Sequence, residues 1–163
     1  MIDENFLFPK EDENGLAPVS YFCEGIDFEL RRKEEITLWI ESTIQEYTCN
    51  LNFVNFIFCS DDYLHSLNVS YLQHDTLTDI ITFPYASPPE IEGELYISIE
   101  RVHDNAKLYS VSFEDELLRV MIHGILHLCG FNDKTEAEKA EMRQRENKAL
   151  NEFKERWKSF ITE

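Results

Sequence analysis

The stretch from Ser112 to Gly130 restricts this chain more than any other. Ser112 is a candidate N-cap, and Glu114, Asp115 and Glu116 fill the first turn, where the helix dipole favours acids. Asp115 stands where a carboxylate reaches back to the cap, and Gly130 supplies a C-terminal stop. Between these ends, Leu117, Val120, Met121, Ile122, Ile125 and Leu126 form an apolar face. A helix of this kind, running through Leu128, has to be buried against other elements.

The preceding sequence supplies them. Val19-Ser20-Tyr21-Phe22 reads as a short strand. Residues 31–47 read as a helix, with Ile36, Ile40 and Ile44 every fourth position and Trp39 and Tyr47 beside them. Leu51–Cys59 is a buried strand rich in Phe, Val and Ile. Ser60-Asp61-Asp62 caps a short helix to about Ser70. Thr78–Phe83 is a β-branched strand stopped by Pro84, and Pro88-Pro89 marks a loop. Glu94–Ile99 alternates and is bounded by Gly93, and a helix follows to about Tyr109. The last helix starts at Thr135, with Glu138 completing a capping box, and ends near Phe160. Its apolar positions are Ala137, Met142, Ala149, Leu150, Phe153 and Trp157. Strands come early and helices late. The expected fold is α+β: one domain over residues 1–163, with a small mixed sheet of about four strands packed with about five helices.

Charge narrows the function. The 163 residues carry 15 Lys and Arg against 32 Asp and Glu, a net charge of −17. The 12 Phe, 7 Tyr and 2 Trp are too rich a supply of core formers for a disordered acidic chain. Phosphate contacts come mainly from Lys and Arg, so broad polyanion binding is excluded. The excess is local: residues 1–30 hold one base and eight acids, and residues 61–100 hold no base and eight acids. The segment 131–163 balances, eight against eight, so room remains for a narrow and specific nucleic-acid site. The N-terminus lacks the pattern of a signal peptide, and no run approaches the roughly 18 apolar residues of a membrane span. The expectation is a cytoplasmic protein with no membrane partner. Cys23, Cys49, Cys59 and Cys129 form no CxxC pair and read as buried reduced thiols.

His123 and His127 lie four apart on the Ser112–Leu128 helix, so both imidazoles share one face. A bare pair at this spacing is usually two unrelated histidines. Two histidines on an apolar face are costly, however, unless paired or ligated. Gly130 lets the chain fold back, and Asp133 can return a carboxylate to the same place. Two imidazoles and one carboxylate leave a fourth tetrahedral position open, the pattern of a catalytic zinc site. Asp133 has a plainer reading as a turn acid ahead of the Thr135 helix. Zinc proteases of the HExxH type carry a general-base glutamate beside the first histidine, but here that position is Gly124.

The run His123-Gly-x-Leu-His127-Leu-x-Gly130, followed by an aromatic residue, closely resembles the signature of the YbeY family, metal-dependent endoribonucleases of ribosomal RNA maturation. Leu67-Asn68-Val69-Ser70-Tyr71, then Asp75-Thr76-Leu77-Thr78-Asp79-Ile80-Ile81-Thr82-Phe83-Pro84, looks like that family's central segment. Gly93-Glu94-Leu95-Tyr96-Ile97-Ser98 is similar to its next strand, and Met142 falls where the family carries a methionine. The resemblance covers roughly residues 51–150. It departs at three places. The family's motif ends in Asp-His, where this chain has Asn132-Asp133, so the third ligand carried over is Asp133. An Arg after the tyrosine and a Pro before Thr-Asp are replaced by Leu72 and Leu77.

The resemblance implies a metal-dependent endoribonuclease acting in ribosomal RNA processing. Its ion, one Zn²⁺ per chain with other divalent metals possible, would be held by His123, His127 and Asp133. Its partners would be ribosomal RNA and ribosomal components. No residue is singled out as general base, and the oligomeric state is not readable. The alternative is a ribosome-associated binding factor with a mainly structural metal, which Leu72 and the acidic charge favour. Candidate RNA contacts are Arg31-Arg32-Lys33 and the basic groups of the last helix, Lys139, Arg143, Arg145, Lys148, Lys154, Arg156 and Lys158. That helix also reads as a solvated one, with Glu141–Arg145 and Glu152–Arg156 pairs. His65 and His103 read as exposed helix residues and His74 as a loop residue. Asp79 is either a carboxylate behind a ligand histidine or a turn acid, and Asn68 a cap or turn residue.

Overall fold

The computed structural model describes residues 11–12, 15–72 and 78–157. Two two-residue strands, β1 (Glu11–Asp12) and β2 (Gly15–Leu16), pair antiparallel. The main sheet contains β3 (Val19–Glu24), β4 (Asn50–Cys59), β5 (Ile80–Pro84) and β6 (Glu90–Ser98) in the order β3-β4-β6-β5. The β3/β4 and β4/β6 pairs are parallel and the β5/β6 pair is antiparallel, so the sheet is mixed, as expected. Five helices accompany it among the described residues: α1 (Lys33–Glu46), α2 (Asp61–Leu72), α3 (Ile99–Leu108), α4 (Phe113–Leu128) and α5 (Glu136–Arg156).

Each sheet face has its own apolar cluster. Val54, Phe56, Phe58, Leu95 and Ile97 share the large core with residues of α1, α4 and α5. Ile57, Cys59, Ile81 and Tyr96 join Leu64 of α2 in a smaller cluster. The alternation along β4 and β6 follows from the period-two geometry of strands. Trp39 of α1 is 1% exposed, and its indole N–H donates to the Ala149 carbonyl over 2.8 Å. Its ring also meets Phe153 edge-on at 5.2 Å. This bond and ring contact fix α5 against α1, and so set where α5 crosses α4.

Several boundaries differ from the sequence reading. β6 begins at Glu90 and runs through Gly93 rather than starting after it. A Cβ at Gly93 would sit 3.0 Å from both Leu128 Cδ2 and the Phe83 carbonyl oxygen, so the glycine marks close helix–sheet approach within a strand. Ile99 opens α3 instead of closing a strand, because the Ser98 hydroxyl caps the Arg101 N–H at 3.0 Å. α1 starts two residues late, after Arg32 in a left-handed conformation (φ 61°). α5 ends at Arg156, and Ala137 is exposed rather than on the apolar stripe. Cys23 is exposed, unlike Cys49, Cys59 and Cys129, which are buried. His103 is exposed, and its ring stacks on Phe113 at 3.9 Å, whereas His65 is half-buried. His74 lies outside the described residues. No described helix is long and apolar enough to cross a membrane.

Candidate metal centre

α4 begins as its sequence dictates. The Ser112 hydroxyl accepts the Asp115 N–H at 3.1 Å. The Asp115 carboxylate does not reach back to the cap but accepts from Lys154 Nζ at 3.1 Å, tying α4 to α5. At the other end the Gly130 N–H donates to the His127 carbonyl at 3.0 Å and the Phe131 N–H to the Leu126 carbonyl at 3.1 Å. These are the paired bonds of a Schellman stop, and Gly130 takes the positive φ it requires, +102°. Phe131 then lodges between Tyr47, edge-on at 4.9 Å, and the Arg145 guanidinium, 4.0 Å above its ring. The chain is thereby turned back, and Asp133 returns to the helix.

The three residues named from the sequence come together. His123 Nε2 and His127 Nε2 are 3.0 Å apart, and Asp133 Oδ2 lies 3.3 Å from the first and 3.4 Å from the second. Three Lewis-basic atoms facing one another so closely require a proton or a cation among them. Bonds of about 2.0–2.1 Å at tetrahedral angles separate neighbouring zinc ligands by about 3.3–3.4 Å. The two edges to Asp133 have that length and the His123–His127 edge, at 3.0 Å, is a little shorter, and the cluster is one that could hold a metal ion.

Gly124 is explained by packing. It faces the sheet, and a Cβ there would lie 2.7 Å from Leu95 Cδ2 and 2.8 Å from Ile80 Cδ1. A protease-type glutamate at this position would meet the sheet, not the histidines.

One residue escaped the sequence reading. Glu146 of α5 is 5% exposed, and its Oε2 lies 2.7 Å from His123 Nδ1. Its Oε1 accepts from Arg119 Nη1 at 2.9 Å, while Arg119 Nη2 holds the Asn147 side chain at 2.9 Å. A carboxylate on Nδ1 places the ring proton there and leaves Nε2 as a lone pair aimed at Asp133 and His127, the arrangement that orients metal-ligating histidines. His127 is held similarly, through a hydrogen bond to the Phe131 backbone. The signal in the sequence was an acid inside the stripe Met142, Ala149, Leu150 and Phe153.

Electrostatics separates the two imidazoles. Burial lowers the basicity of His123, but the bond to Glu146 and the charges of Glu146 and Asp133 outweigh it and raise its pKa. His127 moves down, through burial and the neighbouring His123. Burial pushes Glu146 up, but its bonds to His123 and Arg119 win and hold it ionised.

Asp79 does not touch the donor triangle. It accepts from Asn105 Nδ2 at 3.4 Å and lies in a cleft beside His123, where burial raises its pKa. Asn68 is buried in α2. Arg31 and Arg32 line an apolar cavity of about 680 Å³ with Phe28, Phe113 and Phe153, and that cavity shares no lining residue with the cleft. In the last helix Arg145 sits over Phe131 and Arg156 lies 5.1 Å over Trp157, while Lys148 pairs with Glu152 at 3.4 Å and with Glu46. These replace the expected Glu141–Arg145 and Glu152–Arg156 pairs.

Comparison with known proteins gives one consistent result. The model of the family described as "Endoribonuclease YbeY" matches residues 24–154. A protein of that name from Amoebophilus asiaticus is 56% identical over 132 residues, 80% of this chain and 90% of the relative. One from Bacteroides thetaiotaomicron is 45% identical over 132 residues, 81% of this chain and 96% of the relative. The solution structure of TM1509 from Thermotoga maritima superposes with a TM-score of 0.63 at 29% identity, covering 86% of this chain and 92% of that one.

Proposed function

Since the chain belongs to the endoribonuclease YbeY family, we propose that it is an endoribonuclease whose centre is the His123–His127–Asp133 triangle. The observation that carries this reading is the triangle itself, three donors within 3.0–3.4 Å of one another behind a carboxylate-held imidazole. His123, His127 and Asp133 would hold one divalent ion, with zinc the best match to two imidazoles and one carboxylate. Such an ion supplies Lewis-acid stabilisation of phosphoryl charge and acidifies water near neutral pH. Glu146 keeps the His123 proton on Nδ1, and Arg119 keeps Glu146 ionised and in place. The Phe131 wedge holds Asp133 at the end of α4, so the donor set is assembled without the substrate.

The substrate is RNA, and the family resemblance points to ribosomal RNA and ribosomal components as partners, in the cytoplasm, with residues 1–163 acting as one unit. The net charge of −17 leaves long-range attraction for RNA weak, so affinity must come from contacts at the site and from partner surfaces. The test is chelation followed by an RNA cleavage assay and thermal melting. Cleavage lost on chelation and restored by zinc supports the enzyme. Loss of thermal stability with no metal-dependent cleavage of any RNA would leave a binding factor with a structural ion instead.

A further inference from the structure

The basic groups of α5 differ in what takes up their charge. Lys139 pairs with Glu136 at 3.7 Å, Lys148 with Glu46 and Glu152, and Lys154 with Asp115 at 3.1 Å. Arg143 makes a long 3.9 Å contact with Glu146. Arg145 and Arg156 have no carboxylate partner among the described residues and lie over rings instead. Arg156 is the last residue of the helix, whereas Arg145 directly precedes Glu146, the acid that holds His123.

The Arg145 guanidinium carbon is 4.0 Å from the centre of the Phe131 ring and 5.5 Å from that of Tyr47. Phe131 is two residues before Asp133, so the cation stands beside the turn that brings Asp133 to the histidines. Its Nε is buried with no hydrogen-bond partner, while the residue as a whole is half-buried. The two Nη groups are therefore the edge that an acceptor from outside the chain can reach. A guanidinium stacked on an aromatic ring keeps its fork of donors in one place, and that fork matches the oxygens of a phosphate.

The charges at the centre call for such a group. Asp133 brings one negative charge to the donor triangle, and Glu146 is neutralised by Arg119 at 2.9 Å. A divalent ion would leave one positive charge there, enough for one phosphodiester. RNA carries a further negative charge with every nucleotide, and each neighbouring phosphate needs a cation of its own. Position 72 is Leu72, and residues 61–100 hold no base at all. Arg145 is a preset cation next to Asp133 whose charge no carboxylate takes.

We propose that Arg145 is an RNA-binding residue whose Nη edge takes a phosphate adjoining the one at the donor triangle, with Phe131 and Tyr47 as the ring support that fixes the guanidinium. The proposal rests on the endoribonuclease reading. It gives the Tyr47–Phe131–Arg145 stack two duties: it returns Asp133 to the histidines and presents a cation to the substrate.

Two variants separate these duties. Arg145→Met keeps an unbranched stem over Phe131 and removes the charge, and Arg145→Lys keeps the charge but gives up the planar fork. Each is compared with wild type, zinc-loaded, by fluorescence anisotropy on a short labelled RNA over a series of salt concentrations. Zinc affinity, thermal midpoint and cleavage kinetics are measured alongside. Loss of a hydrogen bond between charged groups should weaken RNA binding by Arg145→Met about 10- to 150-fold. The slope of log affinity against log salt should become shallower by about 0.7, the value for one phosphate on a single strand. Arg145→Lys should keep the wild-type slope and recover part of the affinity. In Arg145→Met the KM should rise while kcat stays within about threefold, as for a contact made equally in the ground and transition states. Zinc affinity should stay within about twofold in both variants, because the space over Phe131 remains filled. An unchanged salt slope in Arg145→Met overturns the proposal, and so does a loss of zinc affinity as large as the loss of RNA affinity. Either result reduces Arg145 to a support for the Asp133 turn and leaves the endoribonuclease reading standing, given a wild type that binds and cleaves. Wild type that neither binds nor cleaves RNA with zinc overturns both.

Discussion

The two helices that build the centre are opposites. α4 is buried along most of its length and carries both histidines. α5 is mainly charged and solvent-facing, and gives the centre one buried acid, Glu146. α4 supplies donors, and α5 supplies what holds a donor still. A structure-only role for α5 would be to cover α4, and its apolar residues Leu150 and Phe153 do that. Glu146 goes further, because a buried carboxylate is costly unless it is paired, and its two oxygens are spent on His123 and Arg119.

The largest effect should come from α4. His123→Ala removes one donor and the anchor of Glu146 at once. Zinc content measured on purified protein should fall from one ion per chain toward none. Equal metal content in the variant and wild type would dissolve the donor triangle as an ion site. The next effect should come from α5. Glu146→Gln keeps the shape but gives up the charge that holds the His123 Nδ1 proton, and outer-shell changes of this kind cost about 10–100-fold in metal affinity. Titration against a zinc-competing dye measures it. An unchanged dissociation constant would reduce α5 to a cover.

Smaller again is the effect of the helix–sheet spacing. Gly124→Ala places a methyl 2.7 Å from Leu95 Cδ2 and 2.8 Å from Ile80 Cδ1. Both are ends of flexible side chains, so the cost should be that of overpacking, about 1–3 kcal/mol. For a chain of this size each kcal/mol moves the thermal midpoint by about 2–4 °C. Metal affinity should fall less than in Glu146→Gln, because the helix backs away from the sheet without losing a donor. A melting curve identical to wild type would show that the sheet accommodates the methyl freely.

The same contrast explains what could be read from the sequence. α4 was legible because its information is local: a serine cap, an apolar face, two histidines one turn apart, and a glycine stop. The meeting of Asp133 with the histidines was legible too, since it needs only ten residues of chain and one Schellman turn. Glu146 was not, because its partner is 23 residues away and the meeting depends on how α5 docks through Trp39 and Ala149. Its only trace was an acid in an apolar stripe, which resembles an ordinary surface glutamate until the neighbours are known. Gly93 reads as a strand boundary in the sequence for a related reason. A glycine in a strand signals either a turn or a close approach, and only the position of Leu128 decides between them.

The smallest expected effect lies at the N-terminal end of α5. The Thr135 hydroxyl accepts the Glu138 N–H at 3.1 Å, and the Glu138 carboxylate accepts the Thr135 N–H at 2.9 Å. These are the two reciprocal bonds of a capping box, and replacing a cap threonine with alanine costs about 1 kcal/mol. The box lies two turns and more from Glu146, and the helix between is held by Met142, which is buried. Thr135→Ala should therefore lower the thermal midpoint by about 2–4 °C and leave zinc affinity within about twofold of wild type. Fraying should stop at Met142, before it reaches the carboxylate on His123. A loss of zinc affinity as large as that of Glu146→Gln would mean that α5 acts on the centre as a rigid whole rather than through the single contact of Glu146 with His123.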